Sequence, residues 1–341
     1  MDPIFIVGTE RSGTNLLRLI LNSHSNIAIP HPPHILKNFF RLEPFYGNLA
    51  EERNFRRLVD DVVRLVELHS YPWEMKIDRD KVSAAVKERD LINIYFSVYD
   101  QYMLYTGKKR WGCKSTFMIN HVALVRHYYP DAKFIYMVRD GRDVAVSAKD
   151  AIFNHYSAYY IAKLWQEEQL TGIYWLNKLP RQNILLLKYE ELLNDPEAAV
   201  RNTCSFLGES YEERMFDFFN TEEAKKSGGL SRAWQNTSSP IMRNNIGKFK
   251  SALKTSEITL FEAIAGRELD YFGYKLENPF FILESMRARG IKFRLKYFWE
   301  EMFLMLKAQI KSIFTDKNIL LRCKKYLFLK FIRISGHIRW W

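Results

Sequence analysis

The chain has 341 residues, of which 47% are hydrophobic and 26% charged, a composition that excludes a low-complexity or disordered protein. This length suits one α/β domain with insertions. The net charge of +12 is concentrated at one end: residues 287–341 hold 14 Lys and Arg against three acids, and residues 1–286 carry only +1. Three cysteines, Cys113, Cys204 and Cys323, lack the spacing of a metal site and fit a reducing compartment.

Residues 4–21, IFIVGTERSGTNLLRLIL, predict a buried strand, a tight loop and a helix. The first amides of such a helix are unpaired and form an anion site. The loop over 8–13 has the spacing of a P-loop, but Thr14 and Asn15 stand where the P-loop Lys and Ser/Thr belong. Its positive charge comes from Arg11. We interpret the loop as a metal-independent cradle for a phosphate or phosphosulfate group.

A proline-rich loop, residues 30–34 (PHPPH), follows a second short strand predicted at 26–29. Its prolines restrict φ and disfavour both helix and central strand. Because parallel strands present their carboxyl ends to ligands, His31 and His34 are candidates for a general base. The alternative is a rigid loop with two surface histidines.

Residues 51–106 have the apolar spacing of helices, with a break at 71–73. We expect this insertion to form a lid over the acceptor, with its aromatic side chains in the core. After a basic turn at 108–110, Lys114 precedes a helix predicted over 121–129. Its ammonium group is a candidate to contact a transferring anionic group.

The stretch 133–140, KFIYMVRD, predicts a strand that ends near Arg139, and Ser147 follows in the next helix. A guanidinium and a hydroxyl at this spacing can converge on one phosphate. The alternative for Arg139 is an ordinary salt bridge. Asp143 is expected to cap that helix or to enter its first turn.

The next elements are a helix over 156–178 and a strand over 183–188. Tyr189 follows directly at the carboxyl end of this strand, and its side chain is suited to contact a base or sugar. Asp195 before Pro196 predicts a helix start.

A polar, glycine-containing segment over 227–240 is expected to be a mobile loop. It precedes the basic segment 243–250, a candidate flap over a nucleotide, and a helix predicted over 257–269. An ordinary solvated loop is the alternative for the flap.

Together these elements resemble the sulfotransferases that use 3′-phosphoadenosine 5′-phosphosulfate (PAPS), and in particular the bacterial-type members. The resemblance covers about residues 3–275. It is carried by four motifs in order: RSGT at 11–14, FIYMVRDGRDVAVS at 134–147, KYEELLNDPE at 188–197 and IGKFK at 246–250. It implies an α/β fold with a P-loop-like parallel five-stranded sheet flanked by helices.

The resemblance also implies a role for each matching residue. The 5′-phosphosulfate is assigned to the first loop, through Arg11, Ser12, Gly13, Thr14 and Asn15. Arg139 and Ser147 are assigned to the 3′-phosphate, and Tyr189 to the adenine. The cover over the 3′-phosphate is assigned to the late segment, through Arg243, Gly247 and Lys248.

By the same resemblance, the sulfuryl group passes in line from PAPS to a hydroxyl acceptor, with adenosine 3′,5′-bisphosphate as product and no metal. Lys114 matches the lysine of a Gly-x-Lys motif that neutralises charge during transfer, and Arg11 is expected to assist it. A glycan or lipid-linked sugar is the acceptor that we consider.

The assignment of the base departs from the family pattern. Bacterial-type relatives resemble I-P-P-E-S-H after the second strand, with the glutamate as base, whereas residues 29–34 here read IPHPPH. Pro32 takes the glutamate position, so the base is expected to be His34, which keeps the family histidine position, or His31.

Two other interpretations stay open: a P-loop kinase of a small molecule, and a catalytically impaired, membrane-associated nucleotide-binding protein.

The basic tail over 287–341 predicts two amphipathic helices, at 291–314 and 319–334. Such helices bind anionic membrane surfaces. The alternative is a helical pair docked on the domain or on another subunit. No nucleic-acid recognition motif accompanies the charge.

We therefore predict a sulfotransferase domain over 1–286, with the insertion at about 51–106, and a tail over 287–341. The early first strand leaves no room for a signal peptide, and no apolar run reaches the roughly 18 residues of a membrane span. We expect a cytoplasmic protein, held by its tail on the inner face of the membrane.

Overall fold

The computed structural model describes residues 1–69, 71–149, 155–230, 236–242, 244–279, 291–316 and 318–339. Its strands are β1 (Ile4–Gly8), β2 (Ile27–Ala28), β3 (Arg110–Lys114), β4 (Lys133–Val138) and β5 (Ile184–Lys188). They form a parallel sheet in the order β2-β3-β1-β4-β5. The predicted α/β class and five-stranded sheet are confirmed.

Helices cover both faces of this sheet. They are α1 (Thr14–Asn22), α2 (Ile35–Phe39), α3 (Glu52–Glu67), α4 (Arg79–Ala85), α5 (Leu91–Thr106), α6 (Val122–Tyr128), α7 (Gly141–Lys149), α8 (Ala158–Lys178), α9 (Tyr189–Asn194), α10 (Pro196–Leu207), α11 (Glu222–Leu230), α12 (Phe249–Ala252), α13 (Thr255–Tyr271), α14 (Ile291–Thr315) and α15 (Ile319–Arg339). Short 3-10 helices lie at Glu43–Tyr46, Thr116–His121 and Glu213–Asn220.

The alternation of side chains along β1 divides the core into two layers. Phe5 and Val7 pack with α3, α5, α8 and α13 on one face of the sheet. Ile4 and Ile6 pack with α1, α9 and α10 on the other. The chain crosses to β2 and β3 on one side of β1 and later to β4 and β5 on the other. The crevice beyond the carboxyl end of β1 is therefore the switch point where ligands of such sheets bind.

Four of the strands are predicted from their apolar runs, whereas β3 is not. Its sequence RWGCK begins and ends with a charge, and yet all five residues are buried. Arg110 tolerates burial because its Nη1 donates to Leu207 O at 2.7 Å and lies 3.5 Å from Glu209 Oε1. Tertiary partners, and not a hydrophobic pattern, make this segment a strand.

The expected mobile loop at 227–240 is wrong at its start, since α11 continues to Leu230. Arg18 is the reason. Its guanidinium is buried, pairs with Glu223 and donates to Ser227 Oγ at 3.4 Å.

The tail docks on the domain through both of its helices. The Glu301 carboxylate of α14 accepts hydrogen bonds from Tyr156 N (3.2 Å) and Ser157 N (2.8 Å), at the start of α8. On α15, Ile332 is buried and Arg64 of α3 lies 5.3 Å from the centroid of the Phe328 ring. The structure thus has the tail as a helical pair docked on the domain, the arrangement given above as the alternative to membrane binding. Among the described residues, no helix combines the length and apolarity needed to cross a membrane.

Candidate active site

The loop after β1 is a cradle of unpaired donors. Arg11 and Gly13 adopt left-handed conformations, with φ of 73° and 85°. Gly13 precedes α1 without a side-chain cap, so the first amides of that helix are left for a ligand. Ser12 Oγ and Asn15 Nδ2 are buried and have no hydrogen-bond partner in the described part of the chain. Because buried polar atoms are normally paired, these atoms indicate a polar ligand.

Arg139 brings the end of β4 to the same cradle. Its Nη1 donates to Arg11 O at 3.1 Å, and its guanidinium lies 4.4 Å from the centroid of the Tyr189 ring. Its Nε is buried without a partner among the residues that the structure describes. Arg11 Nε in turn donates to Ser147 Oγ at 3.0 Å. The structure therefore brings together four residues from three separate motifs.

Asp143 lies in the first turn of α7 and anchors the late basic segment. Its Oδ2 accepts from Gly247 N at 2.7 Å and its Oδ1 from Phe249 N at 2.8 Å. The second of the two expectations for Asp143, a place in the first turn of α7, is confirmed, and the Asp140 carboxylate before the helix accepts from Arg142 N at 2.9 Å. Burial raises the pKa of Asp143, against the opposing effect of Arg139.

The late segment is tied to Tyr189 as well, since Asn245 Nδ2 donates to its hydroxyl at 2.7 Å. Lys248 lines the cavity described below, whereas Gly247 contributes its backbone to the anchor. Arg243 lies outside the described residues.

A cavity of about 670 Å³ extends from the cradle to the proline-rich loop. Most of the predicted site residues line it: Arg11, Gly13, Thr14, Asn15, His31, His34, Lys114, Arg139, Ser147, Tyr189 and Lys248. Ser12, which belongs to the loop itself, is fully buried. Of the described residues in the insertion at 51–106, His69 lines the cavity. The insertion therefore contributes little to the cavity wall, in contrast to the lid expected from the sequence.

The two candidate bases differ in surroundings. His31 is buried, and its ring stacks on Tyr71 at a centroid distance of 4.9 Å. His34 is half-buried, has a left-handed φ of 58°, and its Nδ1 lies 3.3 Å from Ser115 Oγ. Such strain in a non-glycine residue concentrates at functional sites. Burial is the main cause that lowers the pKa of both imidazoles well below 6.5, with Lys114 a further cause, so both are neutral at pH 7 and able to accept a proton.

Lys114, at the carboxyl end of β3, lines the cavity together with the cradle residues and the histidines. Burial lowers the pKa of its ammonium group to about 8, with contributions from Arg18 and Arg11 and an opposing one from Glu10. An ammonium with a lowered pKa in a cavity is stabilised by any anion that binds beside it.

Several cavity residues were not predicted. His69 lies between two inserted helices, and its ring centroid is 5.1 Å from that of His31. Lys37 follows the proline-rich loop on α2. From the tail, α15 and the turn before it contribute Asp316, Asn318, Arg322, Lys325, Tyr326 and Leu329. No local motif identifies these residues, because they reach the cavity only through the packing of distant helices.

Gly13→Ala should weaken nucleotide binding, because the new Cβ would overlap the Tyr189 ring and force it away from Arg139. We expect about a tenfold loss of affinity for adenosine 3′,5′-bisphosphate by calorimetry, and a loss of stability of about 1–3 kcal/mol. Gly208→Ala is the matched control, since Gly208 has a φ of 72° and open space around its Cβ position. It should cost about 1 kcal/mol of stability and no affinity. Equal affinities for the two variants would contradict the role of Gly13.

Comparison with known proteins agrees with this geometry. Protein-tyrosine sulfotransferase 2 of Gallus gallus is 22% identical over 237 residues, covering 68% of this chain and 57% of that protein. Protein-tyrosine sulfotransferase A of Caenorhabditis elegans is 23% identical over 219 residues, covering 62% of this chain and 51% of that protein. The chain spans between 30% and 67% of the length of the first curated relatives that it matches.

The fold has a solved counterpart in the sulfotransferase domain from the curacin biosynthetic pathway. The TM-score is 0.54 at 18% identity, over 81% of this chain and 98% of that domain. A family model described as "Sulfotransferase family" matches residues 3–213, well over half of the chain. The chain therefore belongs to the sulfotransferase family.

Proposed function

We propose that this protein transfers a sulfuryl group from PAPS to the hydroxyl of an acceptor and releases adenosine 3′,5′-bisphosphate. The observation that carries the proposal is the contact between Arg139 and Arg11 at one cavity. Arg11 belongs to the loop at the helix N-terminus and Arg139 to the end of β4. One ligand with an anionic group at each end can therefore contact both.

The residues present fit such a nucleotide. Ser12 Oγ, Asn15 Nδ2 and Arg139 Nε are buried polar atoms that lack partners within the described residues, and all three belong to the cradle. The loop would hold the 5′-phosphosulfate and Arg139 with Ser147 the 3′-phosphate. Tyr189 would lie near the adenine, and Gly247 and Lys248 would cover the bound nucleotide. PAPS, when bound, supplies the sulfuryl group.

The chain's own residues would act on charge and on one proton. His34, or His31 beside it, would accept the proton of the acceptor hydroxyl. Lys114, Arg11 and the first amides of α1 would stabilise negative charge on the transferring group and on the departing phosphate. Sulfuryl transfer, like phosphoryl transfer, requires placement and electrostatic stabilisation more than covalent participation of the protein. These cationic and amide donors give that stabilisation without an assigned metal.

The direct test is incubation with PAPS labelled in its sulfuryl group and a cell extract, followed by identification of the labelled product. Label transfer supports the proposal. Binding of PAPS without transfer to any acceptor would favour the impaired nucleotide-binding protein, and ATP turnover that requires magnesium would favour the kinase.

For the acceptor we propose a sugar hydroxyl on a glycan or lipid-linked sugar.

The pH dependence of kcat/KM should report the protonation state of Lys114. Because the pKa of Lys114 is about 8, its positive charge is present below pH 8 and lost above it. We expect kcat/KM for PAPS to fall on an alkaline limb with a midpoint near pH 8. Lys114→Arg should keep activity and move this limb above about pH 10, since a guanidinium stays protonated. An unchanged limb in the arginine variant would contradict the assignment.

We also propose that the tail attaches the protein to an anionic membrane surface. After docking, α14 keeps a stripe of exposed apolar side chains, and α15 keeps another. They are Trp299, Phe303, Leu306, Ile310, Ile313 and Phe314 on α14, and Leu320, Leu327, Phe331 and Ile334 on α15. Exposed Lys307, Lys330 and Arg333 flank them. Apolar area with basic flanks matches the acyl chains and phosphates of anionic lipids.

The double variant Phe303→Ser, Phe314→Ser should reduce co-sedimentation with phosphatidylserine–phosphatidylcholine vesicles. Both rings are mostly exposed, 68% and 83%, so their loss leaves the docked tail intact. We expect binding to weaken at least about tenfold, the scale of two inserted aromatic rings. The control is Leu104→Ser, Tyr105→Ser, which removes two exposed apolar side chains outside the tail. Equal pelleting of all proteins would exclude the membrane surface.

A further inference from the structure

Two further cations line the cavity, besides those of the cradle and Lys114. Lys37 projects there from α2, three residues after His34, and Lys325 from the tail helix α15. Tyr326 and Leu329 complete this wall. Arg11 and Arg139 of the cradle and Lys114 line the same cavity.

The two lysines share one cavity with the histidines and act electrostatically on them. Burial lowers the pKa of Lys325 to about 8, and the charge of Lys37 lowers it further. Both lysines are also among the causes that lower the pKa of His34. Lys325 acts in the same direction on His69. The lysines therefore act on the part of the cavity where an acceptor hydroxyl would meet a histidine base.

The acids of the cavity are engaged elsewhere. Asp316 pairs with Arg322, and Asp143 accepts from two backbone amides of the late segment. The charge of Glu10 acts on Lys114. Lys37 and Lys325 form no ion pair within 4.0 Å with a carboxylate in the described ranges of the chain. Lys325 is half-buried and Lys37 is exposed, so an anion bound beside them would offset the cost of burying the Lys325 ammonium group near a like charge.

The proposed nucleotide does not account for these charges, because its anionic groups are assigned to Arg11, Arg139 and Lys248 and not to Lys37 or Lys325. We infer that the acceptor carries an anionic group, a phosphate or a carboxylate, near the hydroxyl that is sulfated, and that Lys37 and Lys325 bind this group. The inference rests on the proposed function and names its acceptor class. The anion can belong to a soluble acidic sugar or to a lipid headgroup.

The test measures binding to protein saturated with adenosine 3′,5′-bisphosphate, so that the cradle is filled. Calorimetry compares myo-inositol 1-phosphate with neutral myo-inositol, which has the same ring without the anion. We expect the phosphate to bind at least about tenfold more tightly, and Lys37→Gln or Lys325→Gln to weaken it about tenfold, the scale of one charge-assisted hydrogen bond. Lys324→Gln is the matched control, since Lys324 is exposed on α15 and does not line the cavity.

A second arm distinguishes the sources of the anion. Vesicles with phosphatidylinositol are compared with phosphatidylcholine vesicles, for the Lys325→Gln and Lys324→Gln proteins. Preference for the soluble phosphate alone supports a soluble acceptor, and Lys325-dependent binding of phosphatidylinositol supports a lipid headgroup. Equal binding of inositol and its phosphate, or Lys37→Gln and Lys325→Gln proteins that bind like the Lys324→Gln protein, would overturn the inference. If adenosine 3′,5′-bisphosphate itself does not bind, the proposed function is refuted and the inference with it.

Discussion

Replacing His34 by asparagine should lower kcat about a hundredfold or more, the usual scale for loss of a general base. Asparagine tolerates the left-handed φ of 58° that His34 adopts, so the backbone strain is unchanged while the imidazole is lost. The affinity for adenosine 3′,5′-bisphosphate should stay within about twofold, since His34 does not belong to the cradle. Steady-state kinetics and calorimetry on the same protein separate the two effects.

The pH profile gives a second readout of the same role. Burial holds the pKa of His34 well below 6.5, so the neutral base is present at pH 7 and is lost only when the pH falls through that lowered pKa. The acid limb of kcat/KM should therefore lie below pH 6.5 and disappear in the asparagine variant.

His31→Ala is the companion variant, because His31 is buried against Tyr71 at the same cavity. A larger loss of kcat in this variant than in His34→Asn would transfer the role to His31. Unchanged turnover in both single variants and in the double variant would remove histidine from the mechanism.

Arg139→Ala should weaken the binding of adenosine 3′,5′-bisphosphate about a hundredfold, the scale of two charge-assisted hydrogen bonds. Its effect on adenosine 5′-phosphate, which lacks the 3′-phosphate, should be no more than about threefold by the same reasoning. This variant loses the hydrogen bond from Arg139 Nη2 to Asn245 O (2.9 Å), but Asp143 keeps its two backbone donors in the late segment. Calorimetric titration with the two nucleotides measures the difference.

Arg11→Ala is the matched control for the opposite end of the nucleotide. Since both nucleotides carry a 5′-phosphate, it should weaken both by a similar factor. Arg139→Lys should recover only part of the lost affinity, because an ammonium group lacks the forked donors of the guanidinium. Equal losses of the two nucleotides in Arg139→Ala would refute the assignment to the 3′-phosphate.

Much of the cradle could be predicted because its pattern is local. An apolar strand, a loop with glycines at both ends and a helix follow one another within residues 4–22, and backbone preference and hydrophobic burial both act over that range. The same holds for residues 133–149, where a buried strand leads directly to Arg139 and then to α7. The sheet could be predicted from such apolar strands, except for β3, because its charged end residues interrupt the apolar pattern.

The sequence by itself determined the fold class, the cradle and the identities of Arg11, Arg139, Tyr189 and the two histidines as candidates. Tertiary structure decided how they meet: Ser147 pairs with Arg11, 136 residues away, and Asp143 holds amides more than 100 residues further along the chain. It also placed Lys325 of the tail in the same cavity as His34. Periodicity and propensity describe neighbours along the chain, whereas these contacts depend on which helix faces pack together, and that follows only from burial of the whole core.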